Sequence, residues 1–121
     1  MTQIGGQSIE QIVASIRGWA VRERIVSQVY VFGSRVKGTS TLGSDIDIAV
    51  RILFPDPDIA LAHFQGNRDS WGRELAKLLE LEIDQIDLQW FHPEATPRIV
   101  IALRSAAILV FCRDEQIFSY L

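Results

Sequence analysis

Asp45 and Asp47 stand one residue apart at the head of an alternating run whose intervening positions are Ile46, Ile48, Val50 and Ile52. Successive side chains of a strand point to opposite faces, so the two acids share one face and the aliphatic residues the other. Like charges this close repel unless a cation lies between them. Carboxylate oxygens so placed suit magnesium, which is held partly by protein and partly by substrate phosphates. Ten residues separate Asp45 from Gly33-Ser34, which follows an apolar, β-branched and aromatic run at 28–32. A strand that stops at glycine suits a tight turn. Without a Cβ the backbone can approach a ligand closely, and amide N–H groups at such a turn can cradle phosphate.

The combination of apolar strand, Gly33-Ser34-Arg35, fixed spacing, Ser44-Asp45-Ile46-Asp47 and a second apolar strand resembles the signature of the DNA polymerase β-like nucleotidyltransferase superfamily. The fuller run GSRVKGTSTLGSDIDIAV is similar to its minimal nucleotidyltransferase (MNT) branch, and the resemblance covers roughly residues 28 to 112. It implies two magnesium ions and ATP, with Asp45 and Asp47 on the metals and Gly33 and Ser34 on the β- and γ-phosphates. Arg35 would neutralise phosphate charge, though an ion pair with an acid would explain it equally well; Lys37 is a weaker choice for the same work.

The superfamily takes a third acid from a neighbouring strand, and Asp84 and Asp87 are the candidates. Asp84 has the parity of Ile86 and Leu88, so an unbroken strand would turn it towards the core. Asp87 has the opposite parity and sits in an apolar pattern like that of Asp47, which makes it our choice. Asp87 would then complete the metal site and help take the proton from an acceptor hydroxyl. Catalysis of this kind is mainly positioning and charge neutralisation.

These residues must be held by a small sheet. Ser8 and Gln11 form a capping box, and Ile9, Ile12, Val13, Ile16, Trp19 and Ala20 recur at helical spacing, which predicts a helix from about residue 9 to residue 24. After the second strand, two prolines in 54–58 rule out a continuing central strand, and Asp58 can cap the helical segment after them. Leu61, Phe64, Trp71, Leu75, Leu78 and Leu79 keep a helical period interrupted near Gly66-Asn67, which fits one kinked helix or two short ones. A third strand is expected over 85–91, a short helix over 98–106 and a fourth strand over 108–112. The order predicts an α+β fold with a mixed sheet and helices packed mainly on one face, leaving the carboxylate face open. Residues 1–121 read as a single domain with a loose stretch at 1–7.

Composition narrows the function. The chain has 121 residues, 48% of them hydrophobic and 22% charged, enough for a core. A net charge of −3 with no basic run argues against stable nucleic-acid binding. Cys112 is the one cysteine, so no intramolecular disulfide can form, and the expected compartment is the cytoplasm, with no membrane association. His63 and His92 lack zinc or triad spacing and read as structural; Cys112, in an apolar strand, reads as inert. Trp19, Trp71 and Trp90 each fall in an apolar stripe and read as core.

Short MNT proteins are encoded beside HEPN-domain ribonuclease toxins, where they act as antitoxins that transfer AMP from ATP to a tyrosine of the partner. The resemblance therefore implies a HEPN-type toxin as partner. The chain lacks the Arg and His pair, four to six residues apart, that marks the HEPN ribonucleases. One small domain leaves little material for an acceptor pocket, so a second protein or a second copy of this chain is expected to supply the acceptor side. Two alternatives stay open: a non-catalytic antitoxin that occludes its partner, and transfer to a small molecule such as an aminoglycoside.

Overall fold

The computed structural model describes residues 3–4, 7–33 and 45–113. Its first described elements are two short strands, β1 (Gln3–Ile4) and β2 (Gln7–Ser8), paired antiparallel. Helix α1 (Ile9–Arg22) comes next, started by the capping box: Gln11 N donates to Ser8 Oγ and Ser8 N donates to Gln11 Oε1. Then come β3 (Val26–Phe32), β4 (Ile46–Ile52), α2 (Pro57–Leu79), a 3-10 turn (Ile83–Gln85), β5 (Ile86–Phe91), α3 (Pro97–Ser105) and β6 (Ala107–Cys112).

Strands β3 to β6 form one mixed sheet in the order β5-β4-β3-β6. β3 runs antiparallel to both neighbours, whereas β4 and β5 are parallel. A parallel pair needs a long crossover, and α2 provides it. Helix α2 is continuous through Gly66-Asn67. Phe64 and Trp71, buried on either side of the polar stretch, anchor it, and a helical glycine costs only about 1 kcal/mol relative to alanine. Its N-cap is Asp56 and not Asp58: Asp56 Oδ1 accepts from Asp58 N at 2.9 Å and Ile59 N at 3.3 Å, with Pro57 in the first turn.

The alternation read from the sequence sorts the sheet into two faces. Ile46, Ile48, Val50 and Leu88 point into a core built with Ile12, Ile16 and Trp19 of α1 and Phe64, Trp71 and Leu75 of α2. Trp19 and Trp71 meet edge to face at 5.6 Å, and the Trp19 indole N–H donates to Glu74 at 3.0 Å, so the polar end of a buried ring is satisfied. Trp90 is half-buried against the same core.

The opposite face is not wholly open. Helix α3 lies across it, with Ile99, Val100, Ala102 and Leu103 over Phe32, Ala49 and Phe91. Ala49 is small, and Tyr30 and Phe91 meet edge to face across it at 5.8 Å. His92 secures the turn into α3: its Nδ1 accepts from Glu94 N and Ala95 N, and its Nε2 faces the Pro55 carbonyl at 3.3 Å. His63 is exposed and stacks on Phe54 at 4.6 Å.

Two arginines hold the edge strand β6. Its pairing with β3 slips at Val110, and Arg17 Nε of α1 donates to the Val110 carbonyl at 2.9 Å. Just past the strand, Arg113 donates to the carbonyls of Val26, Ala20 and Glu23 while its guanidinium lies over the Phe111 ring. Cys112 ends the apolar strand in which it was expected and is exposed on this edge.

Candidate active site

β4 carries Asp47 because its alternation turns the apolar residues to the core, which leaves Asp47 and Ala49 on the other face. Asp45 lies just before the strand and is exposed. The parallel register pairs Asp47 with Asp87, Ile48 with Leu88 and Ala49 with Gln89, so the two acids stand side by side on one face. Asp84 falls in the 3-10 turn ahead of β5. On the other side of β4, Phe32 pairs with Asp47 and is followed by Gly33. Gly33 has a φ of +83°, a left-handed conformation that side chains rarely adopt. A methyl group built on it would lie 3.1 Å from the Asp47 Cγ and closer still to Oδ2, so the turn rests directly on the carboxylate.

The electrostatics are set by this crowding. The Asp47 carboxyl is pushed up to about 7, first by burial, then by a hydrogen bond with Asp87, then by the charges of Asp87 and Asp45. A hydrogen bond between two carboxyl groups requires a proton shared by the pair. Gln89 Nε2 donates to Asp87 Oδ1 at 2.7 Å. Beyond Gln89 on this face, a cavity of about 260 Å³ is lined by Tyr30, Phe91, Val100, Leu103 and Arg104.

The structure thus brings Asp47, Asp87 and Gly33 together, with Asp45 acting on Asp47 through its charge. Ser34, Arg35 and Lys37 lie outside the described residues. Among the described residues no three histidine, cysteine or carboxylate side chains form a closed metal-holding group. The donor set nonetheless fits magnesium. It offers hard oxygen ligands side by side, and this ion commonly takes one or two carboxylates and completes its shell from substrate phosphates and water. Sequence reasoning passed over Gln89 and the α3 wall. Parity did place Gln89 on the face of Asp87, which was the available signal.

The sequence profile described as Polymerase beta, Nucleotidyltransferase matches residues 15–116. No curated protein matches the chain by sequence. Among solved structures the fold is similar to a chain of a toxin-antitoxin complex with AMP-PNP, at a TM-score of 0.57 and 22% identity over 88% of this chain and 75% of that one. It is also similar to a chain of the tri-AMPylated Shewanella oneidensis HEPN toxin in complex with MNT antitoxin, at 0.54 and 19% over 88% and 74%. A third is the toxin-antitoxin MntA-HepT, at 0.54 and 18% over 90% and 76%. These likenesses are of fold, and they agree with the profile that spans most of the sequence. With that profile matching residues 15–116, the chain belongs to the polymerase beta nucleotidyltransferase family.

Proposed function

We propose that the protein transfers AMP from ATP to a hydroxyl of a HEPN-type toxin, a tyrosine by our reading, and serves as that toxin's antitoxin. The observation that carries this is the in-register pairing of Asp47 with Asp87 on adjacent parallel strands, directly beside Gly33. Asp45, Asp47 and Asp87 would hold magnesium, and Gly33 and Ser34 would receive the β- and γ-phosphates, with Arg35 offsetting their charge. Bound there, magnesium neutralises the triphosphate and favours the ionised acceptor. Asp87, on β5 at one edge of the sheet, would face the acceptor and take its proton. The acceptor oxygen bonds to the α-phosphorus in line, the bond to the bridging oxygen breaks, and pyrophosphate leaves.

The likeness to complexes containing AMP-PNP and an AMPylated HEPN toxin favours ATP and this class of partner. No described helix is long and apolar enough to cross a membrane, and with Cys112 as the one cysteine we place the protein in a reducing cytoplasm. We take the chain to work as one nucleotidyltransferase domain. Incubation with the HEPN partner, magnesium and ATP, followed by intact-mass measurement, tests the reading. One or more AMP increments on the partner are expected. A stable complex whose masses never change would leave an occluding antitoxin instead.

A further inference from the structure

Gln89 has no place in the reaction just described, yet it makes the one hydrogen bond from the rest of β5 to its acid. Asp87, Gln89 and Phe91 share the carboxylate face of the strand. Phe91 is buried beneath α3 on one side of Gln89, and Ala49, fully buried, is its partner on β4. With an apolar ring behind it and a small side chain beside it, the Gln89 amide turns along the strand to Asp87. Its Nε2 donates to Asp87 Oδ1 at 2.7 Å in a part-buried setting.

We propose that Gln89 is a positioning residue for the transfer: it fixes the plane of the Asp87 carboxylate and leaves the other oxygen to the metal site and the acceptor. The inference rests on the reading of Asp87 as the acid that faces the acceptor. The terminal torsion of an aspartate is broad and roughly two-fold, so an acid held only by its backbone swings. A donor two residues along the same strand moves with the acid and removes that freedom. Gln89 is also neutral. A lysine or arginine at this position would hold the carboxylate equally well but would set a fixed positive charge where a cation must bind. The amide orients Asp87 without competing for its charge.

Three variants test this in the complex with the HEPN partner. Gln89→Leu keeps the shape and removes the donor; kcat is expected to fall about tenfold, with KM for ATP within about twofold, because the loss is one of alignment and not of substrate contact. Gln89→Glu keeps the shape and places a like charge on Asp87; a fall of about a hundredfold is expected. Asp87→Asn is the control on the underlying reading. Transfer by Asp87→Asn at the wild-type rate would overturn the site and this inference together. An inactive Asp87→Asn beside a fully active Gln89→Leu would overturn the positioning role alone, as would a Gln89→Leu defect confined to KM. The readout independent of turnover is the Gln89 side-chain amide in 15N NMR of the metal-free protein. One of its protons should be displaced downfield from free glutamine values, and the displacement should vanish in Asp87→Ala. Resonances at free values in the wild type would sink the proposal even if Gln89→Leu failed to fold.

Discussion

The two faces of the four-stranded sheet are made from the same strands and obey opposite rules. On the face under α1 and α2, Ile46, Ile48, Val50 and Leu88 meet Ile16, Trp19, Trp71 and Leu75, and the buried indole of Trp19 has its partner in Glu74. Each of these groups is buried among apolar neighbours or hydrogen-bonded within the chain itself. On the other face Asp47 is pressed between burial, Asp87 and Gly33, and its carboxyl is forced up to about 7. That face reaches a comparable state only when a cation or a proton arrives. The contrast separates residues that hold the protein together from residues that, on the proposed reading, bind a cation, and it can be tested one side at a time.

The largest effect belongs to the acids. Asp47→Asn and Asp87→Asn should each lower AMP transfer by about 10³-fold or more, since each removes charge at the reacting centre. Circular dichroism should remain native for both, and wild-type rates in either variant would erase the distinction between the faces. Next comes the turn. Gly33→Ala puts a Cβ into Asp47 and an unfavourable φ on alanine. It should cost about 1–3 kcal/mol in denaturant unfolding and about 10²-fold in transfer. On the opposite face, Leu75→Ala empties a fully buried site and should cost about 2–5 kcal/mol of stability, with the rate per folded molecule unchanged. A rate defect there would mean that the two faces are coupled through the sheet.

The smallest effect is a slope with pH. Below the ordinary carboxyl value of 3.8, Asp47 is protonated whether the chain is folded or not. Between there and about 7 the unfolded chain ionises while the folded one resists, so this group's contribution to stability is lost as pH rises. In EDTA, the melting temperature of Asp47→Asn minus that of wild type should therefore increase from pH 4.5 to 7.5. Magnesium with a nucleotide should cancel the increase. A flat difference would show that Asp47 ionises without hindrance.

Much of this was legible in the residues. Alternation around Asp47 and Asp87 assigned both to one face, and the Ser8/Gln11 box fixed where α1 starts. What could not be read was relative placement. That Asp87 stands opposite Asp47, and not a residue higher or lower, depends on how the α2 crossover sets two parallel strands side by side. The destination of α3 was equally hidden: Ile99, Val100, Ala102 and Leu103 announce a helix that must pack, but their spacing is the same whichever side of the sheet receives it. Continuity of α2 across Gly66-Asn67 was undecided because the local penalty is small and the deciding terms, burial of Phe64 and Trp71, are tertiary. Asp56 in place of Asp58 as the cap is a shift of two positions, set by Pro57 in the first turn.

Arg113 gives the fold a clasp. One guanidinium fastens the end of the last strand to Val26 and to the final turn of the first helix, at Ala20 and Glu23. Because α3 is strung between β5 and β6, whatever anchors β6 also anchors the roof over Tyr30 and Phe91. A side chain at the sheet margin opposite Asp87 thereby bears on where α3 sits over Tyr30 and Phe91.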